Sequence, residues 1–234
     1  MALVITKGYL IDRHDYDVFD EILTFINEYG NKFVCFAAGT RRITSKNARS
    51  LIYGNYIEME IFHSNKPDKL SRLKKVTTIS SIDFKYSNNL GLITISDLLS
   101  LVPKINIKLY YLYQEILADV LMDKDEYITS CYAFLKFIKV SNFKFQTKMC
   151  ANCFSKLDLV SMSFNRHGFI CLNCMKFESQ FSKDELELIK LFLEDDSRFS
   201  FNKIKNINFV QFYKKLNIEW QSFKKNQWKK LKKK

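Results

Sequence analysis

Residues 150–174 read CANCFSKLDLVSMSFNRHGFICLNC, two Cys-x2-Cys pairs with 17 residues between them. Each tight pair can aim two sulfurs at one point about 2.3 Å away, and the gap lies within the range of zinc ribbons. Cys150, Cys153, Cys171 and Cys174 would fill a tetrahedral Zn2+ with protein ligands, one ion per chain. Such a site is closed, hence structural and not catalytic. The competing readings are disulfides, or thiols buried in pairs by chance. Against disulfides, the segment MALVITKGYLIDRHDY alternates and carries charge, so it reads as a strand and not as a secretory signal or a membrane anchor. His167 could replace a cysteine but, with four present, reads as a loop residue, and Cys35 and Cys131 read as core.

Before this module the hydrophobic period changes once. Ile5, Tyr9 and Ile11 stand in period-two spacing, 32–37 (KFVCFA) is a compact apolar run, and 56–62 (YIEMEIF) alternates. A further strand is expected over 73–79, and 19–29 is either a helical turn or a strand ending at Gly30. Several short strands in about 80 residues suit a small barrel. From about Ile95 to Leu121 apolar residues recur at helical spacing, with the helix expected to start near Pro103. A second helix is expected over 126–140. Tyr110, Tyr111 and Tyr113 fall inside that helical pattern and read as core and rim. Beyond the cysteines, Ser182-x-x-Glu185 is a capping box that opens a helix over 183–193, and another is expected over 208–216. The fold class is α+β, with strands in 1–82 and a helical domain in 83–234 that carries the zinc module.

A net charge of +12 implies a polyanionic partner, nucleic acid before anionic membrane. The plainer alternative is an A+T-biased genome, from which a chain rich in Lys, Asn, Ile and Phe and poor in Gly and Pro would also follow, part of the lysine excess then being drift on a solvated surface. The last eleven residues hold seven lysines, which makes them a phosphate-binding arm or a solubilising end. No run of about 18 apolar residues exists, and a cytoplasmic location is expected.

Between two expected strands lies 39–49 (GTRRITSKNAR). Arg41, Arg42, Lys46 and Arg49 in a glycine- and hydroxyl-bearing loop can grip successive phosphates, and guanidinium forks match phosphate oxygens well. Phe36, Tyr53 and Tyr56 are the nearby rings that could stack bases. A solvated charged loop is the plainer alternative. No catalytic constellation is visible: the three histidines are scattered, and of Asp12, Asp15, Asp17 and Asp20, from which a nuclease metal site could be drawn, the last three read as a turn. The expectation is a protein that is not an enzyme.

The segment 8–32, with Gly8-Tyr9-Leu10-Ile11, Asp15-Tyr16, Asp20, Ile22-Leu23-Thr24-Phe25, Glu28-Tyr29-Gly30 and Lys32, resembles the opening of the bacterial recombination mediator RecO family. Gly39-Thr40-Arg41-Arg42 and Ser45-Lys46 look like that family's basic loop, and the four-cysteine module follows in the same order. Asp17-Val18 and Phe154 depart from the pattern, which has Gly-Glu and glycine there. The resemblance implies an OB-fold at 1–82 that binds single- and double-stranded DNA and anneals complementary strands. It also implies work with RecR, contact with single-strand-binding protein, and loading of the RecA recombinase in DNA repair. The alternative is a zinc-ribbon RNA- or ribosome-associated protein. A third class is a scaffold whose main partner is another protein.

Overall fold

A computed structural model describes residues 2–64, 69–141, 143–195 and 206–231. The chain divides into two compact units, Met1–Glu126 and Tyr127–Lys234.

The first unit begins with five strands, β1 (Ala2–Asp15), β2 (Glu21–Asn27), β3 (Lys32–Ala37), β4 (Tyr56–His63) and β5 (Ser71–Ser80). They hydrogen-bond in the order β1-β2-β3-β5-β4, and β4 returns to pair with β1, so the pairing forms a closed ring. All neighbours are antiparallel except β3 and β5. Closure rests on the length of β1, whose first half pairs with β4 and whose second half pairs with β2. Gly8 belongs to both ladders, opposite Ile57 and Asn27, and a Cβ there would run into the Ile26 carbonyl. Alternation in β4 turns Ile57, Met59 and Ile61 inward to meet Leu10, Leu23, Phe25, Cys35, Leu73 and Val76. The ambiguous 19–29 segment is strand β2. Its β-branched and aromatic residues pair on both sides, which settles a choice that periodicity left open.

The helical spacing from about Ile95 belongs to two helices: α1 (Leu90–Ser100), not expected as a separate element, and α2 (Ile107–Leu121), which begins shortly after Pro103 in the connection. Proline drives the residue before it out of helical geometry, and the Asn106 side chain then caps α2 by accepting from the Leu109 N–H at 3.1 Å. Both helices belong with the strands. The Tyr9 ring lies 4.8 Å from that of Tyr113, whose hydroxyl accepts the Gly54 N–H at 3.2 Å. Lys32 caps the end of α1 through the carbonyls of Ser100 and of Val102, the latter at 3.1 Å. The compact units part at 126/127, whereas the domain boundary expected from the sequence follows residue 82.

The second unit holds α3 from Tyr127 onward (the helix spans Glu126–Val140), the hairpin β6 (Leu159–Ser163) and β7 (Gly168–Cys171), α4 (Lys183–Asp195) and α5 (Phe209–Leu231). Phe134, Phe137, Phe164 and Trp220 are buried together, with Phe164 and Trp220 at 5.3 Å. The capping box is present in both directions: Ser182 N–H donates to Glu185 Oε2 at 2.7 Å and Glu185 N–H to Ser182 Oγ at 3.2 Å. The same buried carboxylate accepts Lys215 Nζ at 2.7 Å, which joins α4 to α5. The last helix exceeds its expected end at 216, because lysine favours helix and Trp220 continues the buried stripe. It carries the lysine-rich segment as far as Leu231; 232–234 lie outside the described residues.

Candidate functional site

In the second unit the β6–β7 hairpin brings the cysteine pairs together. The residue after each pair donates its N–H to the carbonyl of that pair's first cysteine: Phe154 to Cys150 at 2.9 Å and Met175 to Cys171 at 3.0 Å. Each knuckle is closed by this hydrogen bond. The first is tied to β7 by Ala151 N–H to Phe169 O at 2.8 Å, and the residue after β7 to the knuckle's far side by Leu172 N–H to Asp158 O at 2.9 Å. Phe154 stands in the left-handed region at φ +61°, where glycine is favoured, and Asp158 and His167 share it.

The four Sγ atoms lie within 4.8 Å of one another. Cys153 Sγ and Cys171 Sγ are 3.6 Å apart. A disulfide needs about 2.05 Å. Tetrahedral ligands about 2.3 Å from zinc stand about 3.8 Å from each other, so this donor set fits one Zn2+. Burial pushes the Cys150 thiol up, but the backbone N–H groups of Cys153, Cys171 and Asn152 outweigh it and bring the thiol down to about 6. Cys171 is pushed up to about 12, by burial first and then by the Cys153 side chain. Asn152 also donates its side-chain amide to Cys174 Sγ at 3.3 Å, a hydrogen bond that would steady a metal-bound thiolate from outside. With every ligand supplied by protein, bound zinc would brace the fold and offer no open position for substrate. Among the described residues, the metal-ligating cluster is these four cysteines without His167. The His167 ring packs instead against that of Phe143, tilted by 34° at 4.3 Å.

In the first unit the basic residues lie on the long β3–β4 connection, 38–55, which the ring holds at several points. Gly39, at φ +66°, donates its N–H to Asp20 Oδ1 at 2.8 Å. Asn47 accepts the Val76 N–H from β5 at 3.0 Å, and Leu51 fills the core. Arg42, Lys46 and Arg49 stay exposed between these anchors. Arg41 is different, because its Nη1 pairs with Asp15 at 2.9 Å and donates to Asp17 O at 3.3 Å. Arg42 rests on the Phe19 ring, 5.0 Å from its centroid. Lys46 and Arg49 make no ion pair among the described residues.

The rings expected to stack bases are less available. Tyr56 is half-buried with its hydroxyl on Glu28 Oε2 at 3.2 Å, and burial pushes Tyr53 up to about 12. The most exposed rings beside the basic residues are Tyr16 and Phe19 on the β1–β2 turn. By sequence, 15–20 reads only as an acidic turn. The signal it does carry is two aromatics inside a DYDVFD run where turns usually have small polar residues.

No family model matches the chain. Three curated proteins, each named DNA repair protein RecO, do. The one from Mycoplasma mycoides subsp. mycoides is 27% identical over 72% of this chain and 70% of its own length. That of Mycoplasma capricolum subsp. capricolum is 25% identical over 86% and 85%, and that of Mesoplasma florum 25% over 92% and 84%. At 86% and 92% of the chain, the likeness to these RecO proteins runs through both units. No described helix is long and apolar enough to cross a membrane.

Proposed function

We propose that this chain is a RecO-type mediator of DNA repair and homologous recombination. The observation that carries this reading is the anchored β3–β4 loop with Arg42, Lys46 and Arg49 held out from a closed five-stranded ring, in a chain similar to three RecO proteins. The strand order, with β3 and β5 parallel, supports the OB-fold reading, a scaffold suited to single strands. The loop cations neutralise the backbones of single- and double-stranded DNA, so that two complementary strands can approach and anneal. No bond is made or broken, and the protein acts as a binder, not an enzyme. Zinc at Cys150, Cys153, Cys171 and Cys174 is structural. Its partners in this reading are RecR and single-strand-binding protein, with RecA loaded downstream, in the cytoplasm on DNA.

The test is the rate at which the protein pairs complementary oligonucleotides coated with single-strand-binding protein, without ATP and against a scrambled control. Fast pairing is expected. Failure, with tighter binding to structured RNA than to single-stranded DNA, favours the RNA- or ribosome-associated alternative. Replacing Lys46 and Arg49 together by Ala should lower the log-affinity against log-salt slope for single strands by about 1.4, at about 0.7 for each phosphate no longer neutralised. An unchanged slope removes the loop from the DNA path.

A further inference from the structure

The β1–β2 turn, Tyr16 to Asp20, is locked to the start of the basic loop by hydrogen bonds and an ion pair. Arg41 N–H donates to Phe19 O at 3.0 Å, Gly39 N–H to Asp20 Oδ1 at 2.8 Å, and the Arg41 side chain holds both Asp15 and the Asp17 carbonyl. So held, the turn keeps apolar surface in water. Tyr16 is 65% exposed, Val18 69% and Phe19 46%, and Ile43 on the adjoining loop is fully exposed. The Tyr16 ring is steadied edge-on by Phe36 at 5.5 Å, and Phe19 carries the Arg42 guanidinium.

Charge argues against the turn as a phosphate contact. Asp15, Asp17 and Asp20 outnumber Arg41 and Arg42 there, and Arg41 is already engaged by Asp15. What the turn offers is ring faces and a guanidinium plane, the surfaces on which bases stack. Paired bases are hidden inside a duplex, so only an unpaired strand can use them. The cations that complement its backbone, Lys46 and Arg49, stand further along the same loop.

We propose that the Tyr16–Asp20 turn is a base-stacking site for single-stranded nucleic acid, in which Tyr16 and the Phe19–Arg42 pair receive unpaired bases while Arg41 positions the turn. This rests on the DNA-binding function proposed for the loop and adds a division of labour to it: backbone contacts further along the loop set affinity for any strand, and the turn sets the preference for unpaired bases.

The experiment compares a fluorescent oligothymidine with an abasic strand of the same length, by anisotropy across a salt series. The wild-type chain should bind the abasic strand about fivefold or more weakly, the effect of one stacked base, with equal salt slopes. Tyr16→Ala with Phe19→Ala should lower oligothymidine affinity by the same factor, leave the abasic strand and the slope unchanged, and so abolish the discrimination. Tyr16→Phe with Phe19→Tyr should restore it, which a merely unfolded turn would not allow. Equal wild-type affinity for both strands overturns the stacking site and leaves the DNA reading standing. Discrimination that persists in the double alanine variant overturns the assignment to these two rings. Binding to neither strand overturns both.

Discussion

In the amino-terminal unit each of five strands hydrogen-bonds to two neighbours, and the ring closes by backbone pairing over an apolar core. In the carboxyl-terminal unit the sheet is one hairpin of five and four residues, with cysteine pairs around it. A two-stranded hairpin is marginal in water, whereas a closed ring has no free edge. The first unit thus owes its shape to long-range pairing of ordinary residues. The second draws a local part of its shape from four thiolates that an ion would hold. The difference should be visible as a difference in what breaks each one.

The largest effect is expected at the cysteines. Cys171→Ser should release the metal and destabilise 127–234 by about 3 kcal/mol or more, since bound zinc supplies folding free energy directly. Hydrogen exchange resolved by segment should show β6, β7 and α4 losing protection while β1–β5 keep theirs. Retention of one zinc per chain at full stability would contradict this contrast.

The converse lesion is Gly8→Ala. Its new methyl group meets the Ile26 carbonyl where β1 passes from one ladder to the other, so about 2 kcal/mol or more should be lost. Segmental exchange should place that loss in β1, β2 and β4, with metal content unchanged.

Glu185→Ala removes one arm of a capping box and the partner of Lys215 together, and about 2 kcal/mol is expected. Urea unfolding measures it. A loss as large with zinc bound as without would show that the helices of the second unit stand apart from the metal.

The smallest effect has a pH signature. Burial raises the Glu219 carboxyl above its ordinary value, against the Ser179 N–H that it accepts at 2.7 Å. A raised folded value favours the protonated form, so its contribution is full below the unfolded carboxylate range and is lost as pH rises through the folded value. Glu219→Gln keeps an acceptor without the charge. It should match wild type in acid and be the more stable by up to about 1 kcal/mol at neutral pH. A stability difference that does not change with pH would remove the buried charge as its cause.

Much of this was legible because short-range rules carried it. The 126–140 helix has the expected bounds, and the Ser182/Glu185 box, the 32–37 strand and the metal-ligand spacing each depend on residues a few positions apart. The exposed rings of the turn were not legible. Alternation assigns faces within a strand and says nothing of a turn, so it points to Phe36, Tyr53 and Tyr56 rather than to Tyr16 and Phe19. Likewise Arg41 and Arg42 are neighbours of one residue type, yet one meets Asp15 and the other a ring.

By itself, then, the sequence determined the 32–37 strand, the 126–140 helix, the Ser182/Glu185 box, the cysteine set and the basic character of one loop, because period, capping and spacing are local properties of the chain. The tertiary structure alone decided that α1 and α2 belong with the strands, that β1 closes the ring through Gly8, and that the β1–β2 turn holds its aromatics in water beside the loop cations. Each of these depends on residues far apart in the chain meeting in space, and no local pattern encodes which distant partner a strand, helix or guanidinium will find.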